Sequence, residues 1–88
     1  MEDEYILKQL ESFNLNIADM EATELSAFLD LARNIKQNDY LSAIDYVNTR
    51  RKLADRTAMD KFKYLCGYLQ RIKKIYQYQN NYGKSNNR

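Results

Sequence analysis

From Thr57 to Gln79 the chain reads TAMDKFKYLCGYLQRIKKIYQYQ, an uninterrupted helical pattern longer than any other in its 88 residues. Thr57 followed by Asp60 resembles a capping box: the hydroxyl accepts from a first-turn amide, and the carboxylate faces the positive end of the helix dipole. Phe62, Leu65, Cys66, Leu69, Ile72 and Tyr76 then recur at the three-and-four spacing that aligns one side of an α-helix. That side is the expected core face. Tyr64, Tyr68 and Ile75 widen the apolar sector, so contacts on more than one side are expected. Lys63, Gln70 and Lys74, with Arg71 at the margin, form the watered side, and Gly67 near it costs about 1 kcal/mol against alanine.

The rest of the chain follows the same rule. It has no proline, only two glycines and many strong helix formers, so helix is favoured almost throughout. Residues 2–13 place Ile6, Leu10 and Phe13 on one stripe with Leu7 beside it. A connector over 14–19 follows, with Ile17 dipping into the core and Asp19 as N-cap. The second helix is expected over Met20–Gln37, with Ala22, Leu25, Phe28, Leu29, Ala32 and Ile35 inward. Asn38 and Asp39 supply a stop and a new cap. The third helix runs from Tyr40 to Ala54 on a stripe of Tyr40, Ala43, Ile44, Val47 and Ala54. A two-residue link, Asp55–Arg56, makes the third and fourth helices antiparallel neighbours or a sharp corner.

The expected fold class is therefore all-α: a small compact bundle of four helices with a long C-terminal helix. One helical domain covers 1–80, and a flexible polar tail covers 81–88, where NYGKSNNR has little to bury. Eighty-eight residues suffice for one core and not for two. The start, MEDEY, lacks the basic flank and apolar run of a signal peptide, and no run of 18 apolar residues occurs, so no membrane partner is expected. The lone Cys66 cannot form an intrachain disulfide and reads as a small hydrophobe, which fits a reducing cytoplasm.

The same composition argues against catalysis. There is no histidine, which removes the commonest general base, the Ser-His and Cys-His pairs and the commonest zinc ligand. One cysteine excludes thiolate metal sites, and glycine only at 67 and 83 excludes phosphate loops. No enzyme, cofactor or metal is expected.

Binding is the remaining class, and charge placement directs it. Residues 1–45 hold ten acids against three bases, a net −7, while residues 46–88 hold eleven bases against two acids, a net +9. One reading pairs the halves within the domain or across a homo-oligomer. The other leaves a basic face for a polyanion or an acidic protein. The expected contact residues are Arg50, Arg51, Lys52, Lys73 and Lys74, with Tyr78 and Tyr82 as the tyrosines set apart for a ligand. Tyr64, Tyr68 and Tyr76 are assigned to packing.

The Ala43–Ile44 helix, the basic break after it and KFKYLCGYLQRI together resemble the C-terminal helical domain of DnaD-like replication proteins and the related domain of Gram-positive plasmid RepA-type initiators. In that family a Tyr-x-x-x-Ile-x-x-x-Trp pattern ends the core. Tyr68, Ile72 and Tyr76 keep its first two residues with Tyr in place of Trp; the register Tyr64, Tyr68, Ile72 keeps only the first. The resemblance covers about 39–80. It implies an interaction module of a replication-initiation apparatus that docks primase, helicase or loader. Richness in Asn, Lys, Ile and Tyr points to a low-GC bacterium, its plasmid or its phage. Two alternatives stand beside it: a single-stranded DNA binder using the Lys/Arg and Tyr surface, and a small phage-type inhibitor whose acidic half, including Glu21, Glu24 and Asp30, mimics DNA.

Overall fold

In the computed structural model the backbone is described for residues 1–86 and the side chains for residues 1–79. Four α-helices account for the architecture: α1 (Asp3–Gln9), α2 (Ala22–Arg33), α3 (Gln37–Thr49) and α4 (Ala58–Asn86). Among the described residues there is no strand. The polar tail expected over 81–88, and Tyr82 within it, fall outside the described side chains.

α4 is the axis of the bundle. Thr57 caps it as its spacing predicts, the hydroxyl accepting from the Asp60 amide at 3.1 Å. Phe62, Leu65 and Leu69 are buried, while Cys66, Ile72 and Tyr76 pack at the edge of the core. α3 runs antiparallel to α4, because its start meets the far end of α4 through Asp39 and Tyr76 and its end meets Tyr64 and Tyr68 through Tyr46. α2 lies on the opposite flank and runs parallel to α4: Glu24 and Phe28 sit level with Phe62 and Cys66, and Leu31 level with Lys74 and Gln77. α1 closes the bundle, and its last residues tighten into a 3-10 turn over Leu10–Phe13. Ile6, Leu10 and Phe13 are all buried, as their stripe predicts.

The second and third helices differ from expectation at their ends. α2 stops at Arg33, not Gln37. The Asn34 side chain donates to the Asp30 carbonyl at 2.8 Å and the Ile35 amide to the Ala32 carbonyl at 3.0 Å, which closes the helix. Ile35 is nonetheless buried, so it continues the apolar pattern from a loop. Asn38 and Asp39 neither stop nor cap; they lie in the first turn of α3, whose N-cap is Lys36 in extended backbone. Asp19 does not cap α2 either. Glu21 holds that position without a side-chain bond, and Asp19 belongs to a short 3-10 turn secured by Asn16, which accepts from the Ala18 amide at 3.1 Å.

At its other end α3 stops at Thr49, with Arg50 extended and a 3-10 turn over Arg51–Leu53. Leu53 is buried and Ala54 is exposed, the reverse of the stripe expected for one continuous helix. Similarly Leu15 is buried where Ile17, half-buried, was expected to enter the core. Asn14 makes that entry through a left-handed backbone, φ 60°, a conformation asparagine tolerates better than most residues.

Candidate interaction surface

Two basic regions flank α4, and the sequence ran them together. The first is the corner where α3 hands over to α4. Here Lys52, Arg56 and Lys63, with the single acid Asp60, surround Leu53 and Tyr64 in one shallow depression. A second, next along α4, is lined by Lys63, Tyr64, Gly67, Tyr68 and Arg71. The two share Lys63 and Tyr64, so they form one continuous face. A Cβ placed on Gly67 would meet nothing within 4 Å, which leaves the notch between Lys63 and Arg71 open. From Lys61 onward the sequence contains no acid. Lys63, Gly67, Arg71, Lys74 and Tyr78 follow one another at helical spacing along the outward ridge of α4.

Arg50 stands apart from the other bases of this corner. It is half-buried, its guanidinium 5.1 Å from the ring centre of Tyr46 and 5.7 Å from that of Tyr64, and it donates to the Tyr46 hydroxyl. Tyr46 is itself stacked on Tyr64 at 6.3 Å and tilted against Tyr68 at 5.1 Å. A cation held between aromatic faces gains by attraction to their quadrupoles. Arg50 is thus a packing residue that holds the corner closed, whereas Arg51 and Lys52 project into solvent. Arg50→Gln is expected to cost about 1 kcal/mol, read as a lower urea midpoint; an unchanged midpoint would show that the tyrosine cage does not need it.

The second region is the groove between α2 and α4, with a volume of about 490 Å³, lined by Ala27, Asp30, Leu31, Gln70, Lys73, Lys74 and Gln77. Lys73 and Lys74 are therefore not brought together with Arg51 and Lys52. Consecutive residues on a helix point about 100° apart, and Lys73 leans toward α2 while Lys74 straddles the groove and the outward ridge. Tyr78 is 72% exposed, one helical turn beyond Lys74.

The acidic half does not neutralise either region by direct pairing. Among the described residues, ion pairs within 4 Å belong to Arg33 alone, with Asp3 at 2.6 Å and Asp30 at 2.8 Å. The bond to Arg33 holds Asp3 below the usual carboxylate range. Glu21 and Glu24 are exposed along α2. Tyr76, assigned to packing, donates to Asp39, accepts from the Lys36 amide at 3.3 Å and lies under the Lys36 ammonium. Burial pushes the Cys66 thiol up to about 11, so at neutral pH it is protonated and a poor nucleophile. Among the described residues no three His, Cys, Asp or Glu side chains gather as a metal site requires, and no helix is long and apolar enough to cross a membrane.

The arrangement presents cations on a rigid helix, with most of its aromatic rings turned to one another. No family model, curated protein or solved structure matches the chain.

Proposed function

We infer that this chain is a non-catalytic interaction module whose outward basic face, Lys52, Arg56, Lys63 and Arg71, docks an acidic surface of a replication-initiation protein: primase, helicase or loader. One observation carries the docking surface: the face is continuous along the corner and α4, and none of its bases has a carboxylate of the described residues within 4 Å. The replication setting rests on the resemblance of residues 39–80 to the DnaD-like and RepA-type domains, and on that alone.

The geometry favours a protein partner over a single strand of DNA. Strand binders of low sequence preference stack bases on open aromatic faces. Tyr64 and Tyr68 turn their rings to Tyr46, and Tyr76 is engaged by Lys36 and Asp39. The bases remain available for a charged protein surface, where they set approach and orientation.

The test is titration of the purified chain against primase, helicase and loader from one host, and against oligo-dT, over a range of salt. Binding to one of the proteins is expected, with a shallow dependence on salt and at least a tenfold loss on Lys52→Glu, Lys63→Glu, Arg71→Glu combined. Arg50 is left unchanged so that the corner stays packed. If oligo-dT binds instead, with the steep log-log salt slope of counterion release, the strand-binding reading replaces this one. If neither binds, the replication setting is wrong.

A further inference from the structure

The groove between α2 and α4 has opposite charges on its two rims. Asp30 stands on the α2 side and Lys73 with Lys74 on the α4 side, at the same height, with Ala27 and Leu31 between them. Because α2 and α4 are parallel, that arrangement has a symmetry consequence. Turn a second copy over about an axis running along the groove, and its α2 lies above the first copy's α4 without any shift along the helices. Each Asp30 then faces the other copy's Lys73 and Lys74, twice over, while the Ala27 and Leu31 positions flank the axis. Turning it about the axis across the groove would put acid on acid and base on base. A two-fold interface uses the same patch from both subunits and so requires a self-complementary one; this groove satisfies that condition in one orientation only.

We propose that the α2–α4 groove is the dimer interface of this protein, its occupant a second copy of the chain. The charge complementarity of its rims names the occupant. Among the described residues Lys73 and Lys74 have no carboxylate within 4 Å, and the Asp30 carboxylate pairs with Arg33 alone, which is also held by Asp3 through two hydrogen bonds at 2.8 and 2.6 Å. α2 contributes twelve residues, about 18 Å of helix, so the contact is small beside a standard interface of roughly 1,200–2,000 Å². Dimerisation is therefore weak, needs high protein concentration and diminishes with salt, since exposed charges are screened.

Sedimentation equilibrium on the purified chain tests this without any docking partner, so its failure is separable from failure of the docking reading, on which it does not depend. The wild-type mass should climb from 10.5 kDa toward twice that as concentration rises into the millimolar range, and less so in high salt. Asp30→Lys alone should be monomeric, and so should Lys73→Glu with Lys74→Glu, each at wild-type helicity by circular dichroism. An equimolar mixture of the two should dimerise again, because every reversed rim then meets a reversed rim. Ala27→Arg, an exposed position at the centre of the groove, should block association irrespective of charge pairing. A wild type that stays monomeric throughout, a mixture that does not recover, or an Ala27→Arg protein that dimerises like wild type would each overturn the proposal.

Discussion

Leu65→Ala is expected to destabilise the domain by about 2–5 kcal/mol, the loss of a buried leucine's transfer energy plus the cavity left behind. Leu65 is 0% exposed and sits midway along the stretch of α4 gripped by the other helices, so no neighbour can close the gap without moving a helix. A domain of this length holds a net stability of roughly 4–13 kcal/mol, and one substitution therefore removes much of it. At about 4–8 °C per kcal/mol for a chain of this size, the melting temperature should fall by roughly 10 °C or more. Ser42→Ala, on the exposed side of α3, is the control and should stay within about 0.5 kcal/mol. A Leu65→Ala protein with the control's midpoint in urea would mean that α4 is not the axis of the core. The docking and dimer surfaces would then lose their common scaffold, since both are defined by which way α4 side chains point.

Much of that scaffold was legible because helical periodicity is a local signal with a long reach. Ile6, Leu10 and Phe13, and Phe62, Leu65 and Leu69, lie at the spacing that burial demands, and nothing in the tertiary structure contradicts them. The residues that escaped are those whose burial comes from loops. Leu15 and Leu53 enter the core from turns with no period to reveal them. Ile35 kept the period of α2 from beyond its end, and so disguised the stop that Asn34 makes. The basic surface was legible only as composition. Arg50, Arg51 and Lys52 are three similar letters, yet the first is enclosed by two tyrosines and the others meet water. The spacing of Tyr46 and Arg50, four apart across the end of α3, was the available clue, but Tyr64 arrives from a different helix and leaves no mark near Arg50. Lys73 and Lys74 look like part of one site with Arg51 and Lys52 in sequence, yet in space both line the α2–α4 groove, away from the corner.

Tyr40→Phe tests how α3 is tied to α1. The Tyr40 ring is fully buried, and its hydroxyl donates to the Ile6 carbonyl at 2.7 Å, across 34 residues of sequence. Phenylalanine keeps the ring and its tilted contact with Phe28 but removes the donor from a buried carbonyl, at an expected cost of about 1–3 kcal/mol. The same hydroxyl makes stability depend on alkali. Burial first, then the charge of Cys66 and Tyr5, pushes its pKa well above the ordinary 10.0, and burial likewise moves Cys66 from 9.0 to about 11. A raised folded-state value means that the native chain holds its proton longer than the unfolded one. Stability is therefore whole below pH 9, declines first through Cys66 and then, above pH 10, through Tyr40 as well. Urea midpoints taken between pH 8 and 11 should fall with pH in the wild type. In Tyr40→Phe they should start lower yet fall less steeply above pH 10, because the unfolded chain no longer gains by releasing that proton. Parallel slopes in the two proteins would mean that the phenol is not held protonated by the fold, and an unchanged midpoint at pH 8 that its bond to Ile6 contributes nothing.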